Sequence, residues 1–248
     1  MPFDHDLART TVGLSAAAYR ARDQARAGAE ALGLTDFRWL TAESTQAFTA
    51  SDGDRLFVAF RGTEANPIDW SRNARFNPLA GEFGSIHSGF VSGLAEVWEG
   101  VLDVIADAGK PVIFTGHSLG GALAMLGAVR ADAEGHEVDA IYTYGQPRIG
   151  LGDFSRLFAE RLGDRTYRSI NHVDLVTRVP LLLQGYRHVG ERIYFDSAGG
   201  VHIGAGAWKI IGDDLKHRLA HWGRIEDAFA LPLHDMTAYE ERIGALGM

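Results

Sequence analysis

Apolar positions recur along the chain with two periods, one typical of helices and one typical of strands. A helical period runs from Leu7 to Ala31, with apolar residues on one side and Gly33 after the last turn. Short β-type runs follow it, and the pair Asp52-Gly53 marks a hairpin turn between two of them. The predicted strands in this first part of the chain are 37–40, 47–49 and 56–60.

From residue 84 onward, short apolar runs alternate with longer segments of helical period. Such alternation predicts an α/β protein, with a mostly parallel sheet, right-handed crossovers and helices on both faces. We find no repeat, low-complexity tract or linker, so the sequence predicts a single domain over residues 1–248. The predicted strands are 84–87, 112–114, 138–144, 167–173 and 187–195, the last of the chain; the predicted helices are 90–108, one after residue 121, 154–162 with Asp153 as its cap, 207–229 and one from Asp235.

Residues 64–82 interrupt this pattern. The segment is polar, carries Pro67 and Pro78, and holds Trp70 and Phe76 among charged neighbours. Because the prolines and the polar composition leave room for at most a short helix, the sequence predicts a mobile loop here.

The stretch 112–121 has the arrangement of a strand, a tight turn and a helix. Val112-Ile113-Phe114 is a β-type apolar run, and good helix formers follow Gly121. Between them, Gly116-His117-Ser118-Leu119-Gly120 fits G-x-S-x-G, in which the serine occupies a strained turn and the glycines let strand and helix approach. This is the context of a nucleophile elbow, so Ser118 is the candidate nucleophile. The alternative is a plain Gly-Ser loop that opens a helix.

A serine nucleophile needs a nearby base, and the base needs a carboxylate that holds its tautomer. Asp174 ends the predicted strand 167–173, where functional residues of open α/β sheets lie; a turn-forming aspartate is the alternative. His234 stands in a short Pro-led loop before the last predicted helix. The order Ser118, Asp174, His234 matches that of α/β hydrolases, so these residues are the predicted catalytic triad.

The chain has ten histidines, so the choice of base needs reasons. His117 lies beside the nucleophile in sequence and points elsewhere. His172 faces away from Asp174 if the strand is regular, because side chains alternate along a strand. His188 and His202 border the predicted strand 187–195 and remain the competitors of His234.

No metal or organic cofactor is predicted. His217 and His221 share a helix face, but Arg218 stands where a zinc-binding H-E-x-x-H motif needs its glutamate, so a solvated face is the preferred interpretation. The chain has no cysteine, which excludes disulfides, thiolate ligands and a cysteine nucleophile. A dinucleotide-binding G-x-G-x-x-G turn after the first strand is also missing, which counts against an oxidoreductase.

Acyl transfer needs N–H donors that face the developing oxyanion. The residue after the nucleophile, Leu119, supplies one. Thr63 is the candidate for the second, since Gly62 lets the backbone approach closely at the end of an early strand. The alternative is an ordinary exit from strand to loop.

Six short segments occur in a fixed order between residues 60 and 239. They are Phe60-Arg61-Gly62-Thr63, Ile86-His87-Ser88-Gly89-Phe90, Gly116-His117-Ser118-Leu119-Gly120-Gly121-Ala122, Tyr144-Gly145-Gln146-Pro147-Arg148-Ile149-Gly150, Asn171-His172-Val173-Asp174-Leu175-Val176 and His234-Asp235-Met236-Thr237-Ala238-Tyr239. Together they resemble the fungal-type lipase family, the class 3 triacylglycerol lipases, over most of the chain.

The resemblance implies an α/β-hydrolase fold and a serine hydrolase mechanism. It implies that Ser118 is the nucleophile, Asp174 the acid and His234 the base. It also implies that Thr63 and Leu119 form the oxyanion hole.

The resemblance further implies a lid within residues 64–82. Such lids are short helices that move at an oil–water interface, so we expect Trp70 and Phe76 to face the acyl site. The rather polar composition of this lid also leaves a specificity for soluble esters open. Arg61 and Arg148 are interpreted as members of structural networks rather than as substrate clamps, and His87 as a structural residue near the elbow.

Composition restricts the partners and the location. The net charge of −8 makes a nucleic-acid partner improbable and an anionic membrane surface repulsive on average. The longest apolar stretch, 120–129, is too short for a transmembrane span. Because the N-terminal residues lack the basic start of a signal peptide, the expectation is a cytoplasmic protein, with secretion by a route not visible in the sequence as the alternative. The oligomeric state stays open.

The sequence therefore predicts a single-domain serine esterase, a lipase that hydrolyses acylglycerols through an acyl-enzyme. One alternative is the same machinery acting on another ester, as in a phospholipase A1 or a feruloyl esterase. A non-catalytic binding protein that kept the fold is the alternative from a different class. Such a protein would be expected to lack a triad residue, and all three are present.

Overall fold

Two layers of helices enclose a central sheet in this computed structural model, which describes residues 2–63, 78–172, 174–204, 206 and 234–246. The described helices are α1 His5–Ala17, α2 Arg22–Ala31, α3 Ser88–Ala95, α4 Trp98–Ala108, α5 Leu119–Ala133, α6 Gly152–Leu162 and α7 Met236–Gly244. The described strands are β1 Thr35–Thr41, β2 Gln46–Ser51, β3 Leu56–Phe60, β4 Pro78–Gly81, β5 Gly84–His87, β6 Val112–His117, β7 Val138–Tyr144, β8 Thr166–Asn171, β9 Glu191–Phe195 and β10 Val201–Ile203.

The central sheet has eight strands in the order β1-β2-β3-β6-β7-β8-β9-β10. Strands β3, β6, β7, β8 and β9 are parallel neighbours, whereas β1, β2 and β10 pair antiparallel at the edges. β4 and β5 form a separate antiparallel pair. The prediction of a mostly parallel sheet with antiparallel N-terminal strands is therefore confirmed.

Alternating side chains of the central strands enter two different cores, one on each face. Phe60 and Phe114 pack with α3, α4, α5 and α6 on one face. Phe57 and Ile113, their strand neighbours, pack with α1, α2 and α7 on the other. Strands buried on both faces read as continuous apolar runs, which explains why β3 and β6 show no alternation in the sequence.

The predicted helix Leu7–Ala31 is wrong as one element, because the chain folds back between α1 and α2. Gln46 donates its side-chain N–H to the carbonyl of Ala18, and this bond (2.7 Å) satisfies a carbonyl at the end of α1. The two helices then pack on each other and share one apolar cluster. The alanine-rich pattern continues through both helices and so hides the break.

The predicted helix 90–108 is also two elements, α3 and α4. The Glu96 carboxylate, between them, accepts hydrogen bonds from the backbone N–H groups of Ser44 and Thr45 and from the Ser44 hydroxyl. Val97 leaves the helical region with φ −120°. Long-range contacts of Glu96 thus accompany a break that local periodicity does not reveal.

Three boundaries differ as well. Residues 187–195 are not the last strand, because the short strand β10 returns along β9 after a turn at Asp196. Helix α6 begins at Gly152, so Asp153 lies inside its first turn and binds Ser85 instead of capping it. Strand β8 ends at Asn171 rather than at residue 173. The predicted helix 207–229 lies outside the described residues.

Candidate active site

The turn at Ser118 joins β6 directly to α5. Ser118 has φ 56° and ψ −126°, a conformation that glycine adopts freely and other residues adopt only under strain. Its N–H donates to the carbonyl of Tyr144 (2.9 Å) in the neighbouring strand. A side chain at Gly116 would overlap the backbone of Gly120, and one at Gly120 would overlap the carbonyl of Phe60. The glycines are therefore required for strand and helix to meet.

Asp174 and His234, predicted to act together, are hydrogen-bonded to each other. The Nδ1 atom of His234 donates to Oδ2 of Asp174 at 2.9 Å. The carboxylate is fully buried, and its second oxygen accepts the N–H of Val176 (2.9 Å). Since Nδ1 carries the proton, Nε2 of the neutral ring has a free lone pair and can accept a proton.

The Nε2 atom of His234 is buried and has no hydrogen-bond partner within the described part of the chain. The ring lies beside the elbow: its centroid is 4.6 Å from that of His117, the residue before Ser118. The space above Gly145 is filled by the His234 ring and the Asp174 carboxylate. Among the described residues, no hydrogen bond joins the Ser118 hydroxyl to Nε2 of His234.

Tyr239 is a third member of this network that sequence reasoning missed. Its hydroxyl donates to Oδ2 of Asp174 at 2.6 Å and accepts the N–H of Asn171 (3.1 Å). Burial and the negative charge of Asp174 hold the pKa of Tyr239 well above its ordinary value, so the hydroxyl stays protonated. Tyr239 ends the last of the six resemblance segments, which was the available signal.

His117 holds the backbone of His234 in place. Its Nε2 atom donates to the carbonyl of His234 (2.7 Å), so Nδ1 accepts the hydroxyl proton of Tyr19 (2.8 Å). Burial, and the neighbouring His234 ring, put the pKa of His117 well below its ordinary value, so the ring stays neutral. Nothing in the local sequence pattern pointed to Tyr19, which lies in the break between α1 and α2.

Thr63 and Leu119, the predicted oxyanion donors, line one cavity of about 360 Å³. The parallel pairing of Phe60 with Gly116 brings the end of β3 to the elbow. Gly62 has no room for a side chain, because a Cβ there would overlap the hydroxyl of Tyr19. The rest of the cavity lining mixes polar and apolar residues: Ser44, Thr45, Gln46, Arg61, Gly62 and Leu123.

The competing histidines are engaged elsewhere. His188 donates Nε2–H to the carbonyl of Thr177 (2.7 Å), and His202 binds the carboxylate of Asp196 (2.7 Å). His172 has φ 46°, so it ends the strand instead of continuing it. Within the described residues, no group of three or more histidine, aspartate or glutamate side chains is placed to hold a metal ion. His217 and His221 lie outside the described residues.

The remaining predicted residues divide into two groups. Arg148 binds the carbonyls of Arg178 and Pro180, and Arg61 binds the side-chain oxygen of Gln46 (3.4 Å), as expected for structural networks. Nδ1 of His87 accepts the N–H of Gly89, so this histidine caps α3. Trp70 and Phe76, with most of the predicted lid, lie outside the described residues. The predicted loop 64–82 is wrong at its end, because residues 78–81 form strand β4, which pairs with β5.

Comparison with known proteins connects this geometry to a family. The family model described as "Lipase (class 3)" matches residues 57–184, just over half of the chain. The chain is 31% identical over 160 residues to the secreted mono- and diacylglycerol lipase 1 of Fusarium solani, covering 60% of this chain and 47% of that protein. It is 27% identical over 199 residues to the secreted mono- and diacylglycerol lipase A of Penicillium cyclopium, covering 75% and 64%.

A solved structure of the triacylglyceride lipase from Rhizomucor miehei has the same fold. It superimposes with a TM-score of 0.66 at 23% identity, covering 80% of this chain and 82% of that one. The chain thus spans less than two thirds of the length of the two curated relatives, whereas the likeness in fold extends over most of both structures. No described helix is long and apolar enough to cross a membrane.

Proposed function

Since the chain belongs to the class 3 lipase family, we propose that it is a serine hydrolase that cleaves the carboxylic esters of acylglycerols. The observation that carries this proposal is the Asp174–His234 hydrogen bond of 2.9 Å beside the strained turn at Ser118. That bond puts the proton on Nδ1 and leaves the buried Nε2 atom as a base. Acyl transfer requires a base in this tautomer next to the serine nucleophile.

In the proposed reaction the Ser118 oxygen attacks the ester carbonyl while Nε2 of His234 takes the hydroxyl proton. The same proton then passes to the leaving alkoxide, and an acyl-enzyme remains on Ser118. Water, deprotonated by His234, attacks the acyl-enzyme and releases the fatty acid. Asp174 keeps the ring in the reactive tautomer and stabilises the imidazolium that forms in each step.

The backbone N–H groups of Thr63 and Leu119 are the proposed oxyanion donors. Leu119 begins α5, so its N–H and the positive end of the helix dipole face the turn at Ser118. Thr63 follows the close approach of Gly62 to the elbow and can add its hydroxyl. Donors fixed in this way stabilise the charge that develops on the carbonyl oxygen.

The experiment that tests the proposal measures nitrophenyl esters of increasing acyl length with the wild-type protein and with Ser118→Ala. We expect turnover by the wild-type protein and a loss of at least about a thousandfold in Ser118→Ala. Ser155→Ala, a serine on α6, is the matched control and should retain full activity. A fluorophosphonate probe should label the wild-type protein on Ser118 and leave Ser118→Ala unlabelled.

Turnover that survives Ser118→Ala would refute the proposed nucleophile. Absence of turnover and of labelling with every ester would favour the binding-protein alternative. A steep decline in rate beyond short acyl groups would favour an esterase over a lipase.

A second candidate substrate class is supported by the lining of the cavity beside Thr63 and Leu119. Ser44, Gln46 and Arg61 add polar atoms and one positive charge to a cavity lining that also contains Leu119 and Leu123. Such a lining suits an ester with a polar or phosphorylated alcohol, as in a phospholipase A1. The ratio of rates on phosphatidylcholine and on diacylglycerol distinguishes the two substrate classes.

We also propose that the segment 64–82 carries a lid in the part before strand β4, with Trp70 and Phe76 toward the acyl site, in a single domain over residues 1–248. The two curated relatives are named as secreted proteins, and this favours secretion over the cytoplasmic location expected from the sequence. Release of the native protein into the culture medium of its source would test that location.

A further inference from the structure

Three consecutive leucines project into solvent from the turn Pro180–Gly185, here called the leucine turn. The exposed fractions of Leu181, Leu182 and Leu183 are 52%, 53% and 98%, and no large apolar side chain in the described residues is more exposed than Leu183. A single exposed leucine is ordinary on a protein surface, but a contiguous apolar patch indicates an interaction site.

The leucine turn is held in shape by its own hydrogen bonds. The N–H of Leu181 donates to the side-chain oxygen of Gln184 (2.8 Å), and Gln184 and Gly185 donate to the carbonyls of Leu181 and Leu182. Arg187 adds a further bond to the carbonyl of Leu182 (2.9 Å). Because these backbone groups are already bonded, moving the turn into an apolar medium costs less than moving an open loop.

Arg148 attaches the leucine turn to the rim of the candidate active site. Its backbone N–H donates to the carbonyl of Val179 (2.8 Å), and its guanidinium donates to the carbonyl of Pro180 (2.6 Å). Arg148 belongs to the loop after β7, which begins at Gly145, the residue in contact with His234 and Asp174. The leucine turn and the site therefore lie at the same edge of the sheet, where the parallel strands end.

We propose that the leucine turn inserts into the surface of uncharged lipid aggregates and brings the active site to its substrate there. This inference rests on the proposed function, since an enzyme of insoluble acylglycerols must work at a lipid surface. The exposed leucines sit on one short turn, and such a small apolar patch suits a fluid lipid surface. The net charge of −8 opposes adsorption to anionic lipid, so the matching surface is an uncharged one.

The test separates adsorption from catalysis. Binding is measured by flotation with vesicles of phosphatidylcholine and diacylglycerol, using Ser118→Ala so that no lipid is consumed. Adding Leu182→Ser and Leu183→Ser should weaken binding by at least about tenfold, from the lost burial of two leucines. The matched control is Ile203→Ser, since Ile203 is 49% exposed but pairs with the middle of β9, away from the carboxyl ends of the strands. It should bind like the parent.

Activity gives the second measurement. In the protein with Ser118 intact, the same leucine substitutions should leave hydrolysis of a dissolved short-chain nitrophenyl ester within about twofold. Hydrolysis of an acylglycerol emulsion at low lipid concentration should fall at least about tenfold. Because both leucines are exposed, the thermal midpoint should not change, and this checks that the variant is folded.

Four outcomes would overturn the inference. One is unchanged vesicle binding in the double variant; another is an equal loss on dissolved ester and on emulsion. The third is a dimer of the parent protein that the leucine substitutions dissociate, which would make the turn a contact between two copies of the chain. Stronger, salt-sensitive binding to anionic vesicles would refute the choice of an uncharged surface. The vesicle result does not depend on turnover, so it stands or falls separately from the proposed function.

Discussion

Asp174 and the leucine turn are close in sequence, but one is buried among polar groups and the other is apolar and exposed. The Asp174 carboxylate is fully buried and accepts three hydrogen bonds, from Val176, His234 and Tyr239. The leucine turn presents apolar side chains to solvent, without any described contact that buries them. Neighbouring residues of the chain therefore occupy opposite physical environments.

The two regions differ in how precisely their atoms must be positioned. Proton transfer tolerates errors of only a fraction of an ångström, so buried hydrogen bonds that satisfy one geometry are required around Asp174. Adsorption to a fluid surface depends on exposed apolar area and hardly on exact positions. Substitutions in the two regions should therefore differ in kind as well as in size.

The largest effect is expected for Asp174→Asn. The amide can no longer hold the proton on Nδ1 of His234, so kcat/KM should fall by about 10⁴. The loss should be the same on dissolved ester and on emulsion, in contrast to the leucine substitutions. Asp235→Asn is the matched control, because asparagine still caps α7. A loss confined to emulsions would remove the distinction between the two regions.

A smaller effect is expected for Tyr239→Phe. This change removes one of the two donors to Oδ2 of Asp174 and leaves the buried N–H of Asn171 without its tyrosine acceptor. We expect kcat to fall about tenfold at constant KM, and the free energy of unfolding to fall by about 1–3 kcal/mol. Steady-state kinetics and urea denaturation measure the two quantities. An unchanged kcat would show that Val176 and His234 are sufficient to position the carboxylate.

The smallest effect is on the pH dependence of the free energy of unfolding and does not involve catalysis. Burial lowers the pKa of His87 below its ordinary value of 6.5, so the unfolded chain binds the proton more readily. The contribution of His87 to stability is therefore complete above pH 6.5 and is lost as the pH falls through its folded pKa. His87→Asn, which keeps an acceptor for α3, should make the acid decline in unfolding free energy shallower by up to about 1.4 kcal/mol per pH unit. His5→Asn, at an exposed histidine, is the control and should not change this decline. Equal curves of unfolding free energy against pH for all three proteins would contradict the lowered pKa of His87.

Much of the fold follows from periods and turn residues that act locally. The β2–β3 hairpin and the strand–turn–helix at Ser118 have such local signals in Asp52-Gly53 and in the paired glycines. The breaks before α2 and α4 do not, because Gln46 and Ser44, which contact them, come from distant parts of the chain. Non-local contacts of this kind leave no period in the sequence.

The candidate site shows the same limit. Ser118, Asp174 and His234 could be chosen from motif, order and resemblance, because each chemical role requires a particular residue type. Tyr19 could not, since a tyrosine between two helices has no distinguishing pattern until the fold brings it to His117. The leucine turn has three successive leucines in the sequence, but their exposure follows from the fold.

The positive φ of Ser118 has a consequence for descendants of this chain. The proposed nucleophile requires a serine at a position whose backbone conformation favours glycine. In a homologue without the proposed ester hydrolysis that constraint would be absent, and glycine is the residue that relaxes such a backbone. We therefore expect a homologue with glycine at this position to lack hydrolase activity and to have a larger free energy of unfolding.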